Sequence, residues 1–234
     1  AEVTQALRAD FGVQIDAHGE RMTLIDNKGR VLRNEMLLAT MTQLFLSANP
    51  GGKIAVPVTA SSVIERVAKR HGGTVIRTKA NPRAIMEVAR AEDVLFAGTE
   101  GSFIFPALHP GFDAMFATAK IAELLAKTGK SLSQVQSEIP DFYHLHEEVP
   151  CPWEQKGTVM RVLVEQGRDK NIELIDGVKI YTQNGWVLVL PDPVEPLIHL
   201  YADGTSAIET EQLIEEYTTV IRSMASGQAE VALA

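Results

Sequence analysis

Asp16, His18 and Glu20, in Asp16-Ala-His-Gly-Glu-Arg21, are carboxylate and imidazole groups at alternate positions. Alternation puts three side chains on one side of an extended backbone, a spacing from which one metal ion can be held. A histidine in the set weakens Mg²⁺, which prefers oxygen, and would suit Zn²⁺ or Mn²⁺ instead. A polar turn between two strands explains the same residues without a metal, and that reading carries more weight. Lys79, Asn81 and Arg83, in Arg77-Thr-Lys-Ala-Asn-Pro-Arg83, stand near a helix N-terminus, where main-chain N–H groups favour an anion. Two cations and an Asn before Pro also make an ordinary solvated helix start, which is the preferred account. His144 and His146 share a face, with Glu147 and Glu148 following. That spacing permits a metal, but an exposed polar connector is the simpler explanation. Cys151, between Pro150 and Pro152, reads as a linker residue rather than a nucleophile.

The chain of 234 residues is long enough for two domains, each with its own core. Apolar residues make up 45% and charged ones 22%, a soluble globular balance. A net charge of −8 without any Lys/Arg run argues against a nucleic-acid groove. The longest mainly apolar stretch, Met36 to Leu46, is too short to cross a bilayer and includes Thr40, Thr42 and Gln43. A single cysteine excludes an internal disulfide and fits a reducing, cytoplasmic setting. The first residues lack a signal pattern and read as mid-helix, so the chain is expected to be part of something larger.

The elements that would position these groups follow from periodicity. Residues 2–9 end a helix and Phe11–Ile15 is a strand. Asn27-Lys-Gly-Arg30 marks a tight hairpin. Asn34 can cap a helix carrying Met36, Leu37, Met41, Leu44 and Phe45 on one face, and residues 47–52 form a boundary. Strands at Lys53–Pro57, Thr74–Arg77 and Val94–Ala97 then alternate with helices opened by Ser61 or Ser62 and by Pro82. Helices at Phe112–Lys127 and Leu132–Glu138 follow. Strand–helix alternation predicts a parallel sheet covered on both faces. Phe142–Pro152 reads as an extended connector. Beyond it, a helix at Trp153–Gln166, strands at Ile172–Ile175, Val178–Thr182, Trp186–Leu190 and Ile198–Ala202, and a long helix from Ile208 to about Met224 predict an α+β domain. The last residues are expected to be loose.

Residues 187–203, VLVLPDPVEPLIHLYAD, carry the strongest resemblance. They resemble the last domain of the α-D-phosphohexomutases, the phosphoglucomutase and phosphomannomutase superfamily. There a strand enters a loop of the type Arg-Pro-Ser-Gly-Thr-Glu-Pro, followed by a strand with a second Arg. With Pro191, Glu195 and Pro196 in register, Leu190 stands for the first Arg, Asp192 for Ser, Pro193 for Gly, Val194 for Thr and His199 for the second Arg. Phosphate capture needs bidentate cations, hydroxyls and free N–H groups. Here Pro193 removes an N–H, Leu190 and Val194 offer nothing, and Asp192 adds a repelling charge. Three further landmarks fall in order. Asp16–Arg21 resembles the family's Asp-x-Asp-x-Asp-Arg Mg²⁺ loop, with Asp16 and Arg21 kept. Arg77–Arg83 resembles a third-domain loop, Thr-x-Val-Gly, that recognises sugar-phosphate orientation; Thr78 fits, while Ala80 and Asn81 replace Val and Gly. Phe96-Ala-Gly-Thr-Glu-Gly-Ser-Phe-Ile-Phe105 resembles the sugar loop Gly-Gly-Glu-x-Ser-Gly-His. Gly98 is kept there, Thr99 replaces the Glu, and Glu100 is one step out of place. Asp113 follows as a helix cap. Thr59-Ala-Ser-Ser62 echoes the family's phosphoserine motif but lacks its His, Asn and Pro; Ser61 and Ser62 are better read as caps.

The resemblance implies an α/β fold: three-layer α/β/α phosphohexomutase-type domains, followed by an α+β C-terminal domain with an antiparallel sheet. Residues 1–48 would be the end of the second family domain, 51–140 the third, 141–152 a linker, 153–226 the fourth and 227–234 a loose tail. It implies Mg²⁺ as the family metal, a sugar phosphate as ligand, and upstream domains of the same polypeptide as partners. A second copy of the chain is a further partner to consider; nucleic acid and membrane are not. Arg21, Lys79, Asn81, Arg83, Gly98, Thr99 and Glu100 are the candidate substrate contacts. The wording around Cys151–Arg161 and Gly185–Asp192 resembles a region fused to sugar-1-phosphate nucleotidylyltransferases of the mannose-1-phosphate guanylyltransferase type. The expected function is a non-catalytic phosphohexomutase-like module. Part of an active mutase, or a purely structural oligomerisation module, are the alternatives.

Overall fold

The computed structural model describes residues 1–167 and 171–225; the tail expected at 227–234 lies outside the described residues. Two units emerge, Ala1–Asp141 and Phe142–Ala234. In the first, a short helix α1 (Glu2–Ala6) precedes an antiparallel sheet of β1 (Phe11–Ile15), β2 (Met22–Asp26) and β3 (Val31–Leu32). The hairpin expected at Asn27–Arg30 is present, with Gly29 at φ +77°. Asp26, fully buried, organises it. Its carboxylate accepts the N–H groups of Lys28 and Arg30 at 2.9 and 2.8 Å, and Arg30 Nε donates to it at 2.7 Å. Gln136 adds a bond at 3.2 Å, and Asn27 accepts the Ser133 N–H at 3.1 Å.

Helix α2 (Asn34–Ala48) is buried almost all round, rather than along one face. Its threonines satisfy themselves: Thr40 and Thr42 hydroxyls donate to the carbonyls four residues back, Met36 and Leu38. Asn34 does not cap it. Arg33 is the N-cap, without a side-chain bond, and Asn34 enters the helix at φ +51°. Then come β4 (Lys53–Pro57), α3 (Val63–Arg70), β5 (Thr74–Thr78), α4 (Pro82–Ala91), β6 (Phe96–Gly98), β7 (Phe103–Phe105), β8 (His109–Phe112), α5 (Ala114–Thr128) and α6 (Leu132–Ser137).

The sheet order is β5-β4-β6-β7-β8. Its first three strands are parallel as expected, whereas β7 pairs antiparallel with both β6 and β8 and corrects the all-parallel expectation. Period-two alternation builds two layers on it. Ala55, Ala97 and Ile104 pack with Ile85 and Ala89 of α4. Phe96 and Phe105 point the other way, against Phe45 of α2 at 5.1 and 5.5 Å, and Phe105 meets Phe116 of α5 at 5.1 Å. Residues 1–48 and 51–140 both fall within the first unit.

The second unit begins with a strand where a connector was expected. Tyr143–Pro150, within the expected connector, is strand β9, followed by α7 (Trp153–Gln166), β10 (Ile172–Glu173), β11 (Val178–Thr182), β12 (Gly185–Pro191), β13 (Leu197–Gly204) and α8 (Ala207–Ala225). The sheet is antiparallel, ordered β10-β11-β12-β13-β9. As an edge strand ending in proline, β9 buries only Val149 and mixes His and Glu with exposed Tyr143 and Leu145, which is why it reads as a connector. Val149, Val187, Val189, Ile198 and Leu200 pack with Val159, Leu163, Tyr217 and Ile221 of the helices. Each such side chain contributes about 1.5–3 kcal/mol. Cys151 belongs to this core and not to a linker; burial pushes its thiol pKa up, away from nucleophile chemistry.

Burial opposes ionisation of Asp26, yet the Arg30 main-chain and side-chain bonds overcome it and hold its carboxyl below the usual carboxylate range. Asp26→Ala is expected to destabilise the first unit by about 2–3 kcal/mol in urea titration. Because the folded pKa lies below the unfolded one, the Asp26 contribution is complete above the ordinary carboxylate pKa and fades as pH falls through the depressed value. The gap between wild type and variant should therefore close only at strongly acidic pH.

Candidate ligand site

Strands β4, β5 and β6 are parallel, so their C-terminal ends, Pro57, Thr78 and Gly98, share one edge of the sheet. Ligands of open α/β sheets bind at such an edge. Three loops leave it. The first, 58–62, is pinned by Arg77, a residue sequence reasoning passed over. Its guanidinium grips both oxygens of Glu65 at 2.7 Å and donates to the carbonyls of Pro57 and Ala60 at 2.9 and 2.7 Å. Ser61 is a turn residue here: its N–H donates to Glu35 at 3.0 Å and its hydroxyl accepts the Val63 N–H at 3.1 Å. Ser62, the N-cap of α3, makes no side-chain cap bond.

The second loop exposes Lys79, Asn81 and Arg83. Asn81 spends its carbonyl on the Ala84 N–H at 2.9 Å, capping α4, and Arg83 pairs with Glu87 at 2.8 Å. Thr78 donates to the Lys79 carbonyl at 2.9 Å.

The third loop carries Gly98, Thr99 and Glu100, and the turn Asp16–Arg21 docks on it. Met22 N–H donates to Gly101 O at 2.8 Å, Arg21 bridges Ser102, and Ala114 N–H, at the start of α5, donates to Gly19 O at 2.8 Å. Gly101 has φ +103°, and a Cβ there would lie 2.8 Å from Met22 O. Only glycine fits that approach without strain. Asp113 caps α5 by accepting the Phe116 N–H at 2.8 Å. Thus the metal-turn and sugar-loop candidates, Arg21 included, are brought together, although Thr99 and Gly101 direct their N–H groups to Ser102 and Thr99 carbonyls.

Asp16, His18 and Glu20 do not converge as a metal trio. One Asp16 oxygen accepts the N–H groups of Glu20 and Arg21 at 2.9 and 3.0 Å, and the Arg21 bond is the main reason its carboxyl lies below the usual range. His18 is 82% exposed, with Nδ1 at 3.7 Å from the other oxygen. Among the described residues, the metal-competent grouping of this kind lies elsewhere, in the second unit. With an imidazole in place of an oxygen donor and one carboxylate oxygen committed, these residues do not fit Mg²⁺.

In the second unit, Pro191–Leu197 turns on Asp192. One carboxylate oxygen accepts the N–H groups of Val194 and Glu195 at 2.7 and 2.6 Å; the other takes His199 Nε2 at 2.9 Å. The His199 bond, then those two amides, hold the Asp192 pKa at about 2. Leu190 lies opposite His199 in the β12–β13 ladder. Val194 is 79% exposed. Glu195 O accepts the Leu197 N–H at 2.8 Å, closing the loop. Beneath it lies Lys156, which the sequence reading missed. Its ammonium donates to Asp192 O at 2.6 Å and to Glu195 O, and sits 3.8 Å from the Trp153 ring centre. The available signal was a lysine on the apolar stripe of α7, three and seven residues before Val159 and Leu163.

Residues 33–143 match the family described as phosphoglucomutase/phosphomannomutase, alpha/beta/alpha domain III. A probable phosphoglucosamine mutase of Methanopyrus kandleri is 33% identical over 221 residues, covering 93% of this chain and 49% of that protein. A phosphoglucomutase/phosphomannomutase of Thermococcus kodakarensis is 31% identical over 216 residues, covering 92% and 47%. Among solved structures, a phosphoglucomutase/phosphomannomutase family protein of Burkholderia thailandensis superposes with TM-score 0.80 at 20% identity, covering 99% of this chain and 50% of that one. An Aspergillus fumigatus N-acetylphosphoglucosamine mutase in complex with GlcNAc-6P and magnesium gives TM-score 0.62 at 13% identity, covering 91% and 48%. The chain spans about half the length of the curated relatives it matches. Residues 33–143 thus match the phosphoglucomutase/phosphomannomutase domain III family, and nearly the whole chain is similar to proteins of the phosphohexomutase superfamily.

Proposed function

We propose that this chain is a phosphohexomutase-like module of carbohydrate metabolism that does not itself turn over substrate. It serves as a sugar-phosphate-sensing or assembly part of a larger cytoplasmic protein carrying a nucleotidylyltransferase. No helix among the described residues is long and apolar enough to cross a membrane, which is compatible with that setting. The observation that carries the reading is the Asp192 carboxylate. It takes the Val194 and Glu195 N–H groups and His199 Nε2 for itself. A phosphate arriving there would have to displace a carboxylate already in place, against its charge. Lys156 is turned to loop carbonyls rather than outward. Contact with a sugar then falls to the sheet edge of the first unit, through Thr99, Glu100, Lys79 and Arg21.

A second reading has support of its own. Relatives named as phosphoglucosamine mutases match across nearly the whole chain, as with the 33% identical Methanopyrus kandleri protein over 93% of it. In that reading the chain is part of an active mutase interconverting hexose 1-phosphate and 6-phosphate. Assay of the full-length protein separates the two: robust interconversion with a phosphorylated serine would replace the first reading with the second.

Two outcomes are expected for the loop. In NMR titration with glucose 1,6-bisphosphate, the wild-type Val194 and Glu195 amides should not shift saturably. The triple variant Leu190→Arg, Asp192→Ser, His199→Arg should show saturable shifts there and bind at least about tenfold more tightly, because it restores cations and frees N–H donors. Saturable wild-type shifts at both amides would contradict the proposal.

A further inference from the structure

Antiparallel pairing of β9 with β13 sets His199 opposite Glu148 and Tyr201 opposite His146. Side chains alternate faces, so His146, Glu148, His199 and Tyr201 stand on the side away from the core residues Val149, Ile198, Leu200 and Ala202. His146 Nε2 lies 3.0 Å from His199 Nδ1, and Glu148 Oε1 lies 3.9 Å from the same Nδ1. One ligand atom from each of the three residues lies within 4.8 Å of the others. Metal–nitrogen bonds of about 2.0–2.1 Å in a tetrahedral site put neighbouring ligand atoms about 3.3 Å apart. The observed spacings bracket that value.

We propose that His146, Glu148 and His199 form a binding site for a divalent transition-metal ion of the Zn²⁺ class, with Asp192 orienting His199 from behind. Two imidazoles and one carboxylate suit Zn²⁺ and its neighbours and do not suit Mg²⁺ or Ca²⁺, which favour oxygen throughout. A ligating histidine characteristically gives its other ring N–H to a carboxylate, and His199 meets Asp192 in that way, Nε2 to Oδ2 at 2.9 Å. That bond leaves the lone pair of His199 on Nδ1, facing His146 and Glu148. The His146 ring is stacked on Tyr201 at 4.4 Å and 12°, which fixes its plane. Without metal, the two facing nitrogens share a hydrogen bond. On binding, His146 carries its proton on Nδ1 and its Nε2 lone pair turns to the ion, with no net loss of a proton. Glu147 does not compete, since it points to the other face, where Thr218 and Arg222 of α8 bond it. His146 and Glu148 are exposed, so a fourth coordination position stays open to water or an anionic oxygen. The site does not depend on whether a sugar phosphate binds the chain.

The test is titration of the metal-stripped full chain with Zn²⁺ by calorimetry, alongside Co²⁺ as a visible-absorption probe of coordination. One equivalent of Zn²⁺ and a tetrahedral Co²⁺ spectrum are expected. His146→Ala and His199→Ala should each weaken Zn²⁺ at least about a hundredfold and lose that spectrum. Asp192→Asn should weaken Zn²⁺ roughly tenfold while keeping the spectrum. Should a histidine variant unfold by circular dichroism, the near-isosteric Glu148→Gln carries the test and should also weaken Zn²⁺. His18→Ala should leave binding unchanged. No stoichiometric binding, or binding that Glu148→Gln and the folded histidine variants leave intact, would overturn the proposal.

Discussion

The pairing of Tyr143–Pro150 with Leu197–Gly204 is the constraint on which the chemistry of the second unit depends. It brings together residues far apart in sequence, and its register decides which of them meet. That register is not held by the polar residues it displays. Ile198, Leu200 and Ala202 must enter the core with Val149, and period two then sends His199 and Tyr201 outward beside His146 and Glu148. A slip of one residue would expose those apolar side chains, at about 1.5–3 kcal/mol each, so the slip is closed off. Helix α8 clasps the edge strand from the core side, through Thr210 to Tyr143 O and through Thr218 and Arg222 to Glu147. An edge strand poor in buried residues is thereby made part of the sheet.

The loop between β12 and β13 shows how one side chain can decide what a frame is available for. A turn whose amides converge is an anion site by geometry. Here Asp192 supplies the anion from within the loop, and Lys156 neutralises the carbonyls below. Both ends of the peptide dipoles are satisfied internally, so the loop is stable without a ligand. Beside the loop stands His199 of β13, whose Nε2 is tied to Asp192 and whose Nδ1 faces His146.

Much of the scaffold was legible because local chemistry dictated it. Asn27–Arg30 specified its hairpin, Asp113 its cap, and the apolar periodicities gave α7, α8, β4 and β5 close to their observed limits. The failures share a physical cause. β9 lacks the alternation of a half-buried strand, because Glu147 occupies its face toward α8 and is bonded there by Thr218 and Arg222, so its partner β13 and helix α8 supply what its own sequence does not. β7 and β8 are short and follow a glycine that only the docked Asp16–Arg21 turn requires. Asn34 looked like a cap, but Arg33 holds that position and Asn34 is already helical. For the site, alternation correctly set His144 and His146 on one face. It could not show that His199, 53 residues later, would arrive beside His146. Lys156 and Arg77 were missed because their partners are main-chain carbonyls or a distant Glu, and these leave no trace in local spacing.

The same division separates what shapes the sheet edge of the first unit from what that edge displays. In the first unit, the loop geometry is set by Gly101 against Met22 O, by the Asp16 turn bonding its own amides, and by Arg77 pinning the 58–62 loop. None of these contacts involves the side chains of Thr99, Glu100 or Lys79. Those three side chains can therefore be substituted without removing the contacts that hold the edge in shape. The second unit follows the same rule more sharply. Its core fixes where His199 stands through Ile198 and Leu200 on either side, while the imidazole itself lies on the opposite face of the strand. The strand register delivers His146 and Glu148 alongside it, so the donors of the proposed metal site are gathered by packing on the opposite face of the same two strands.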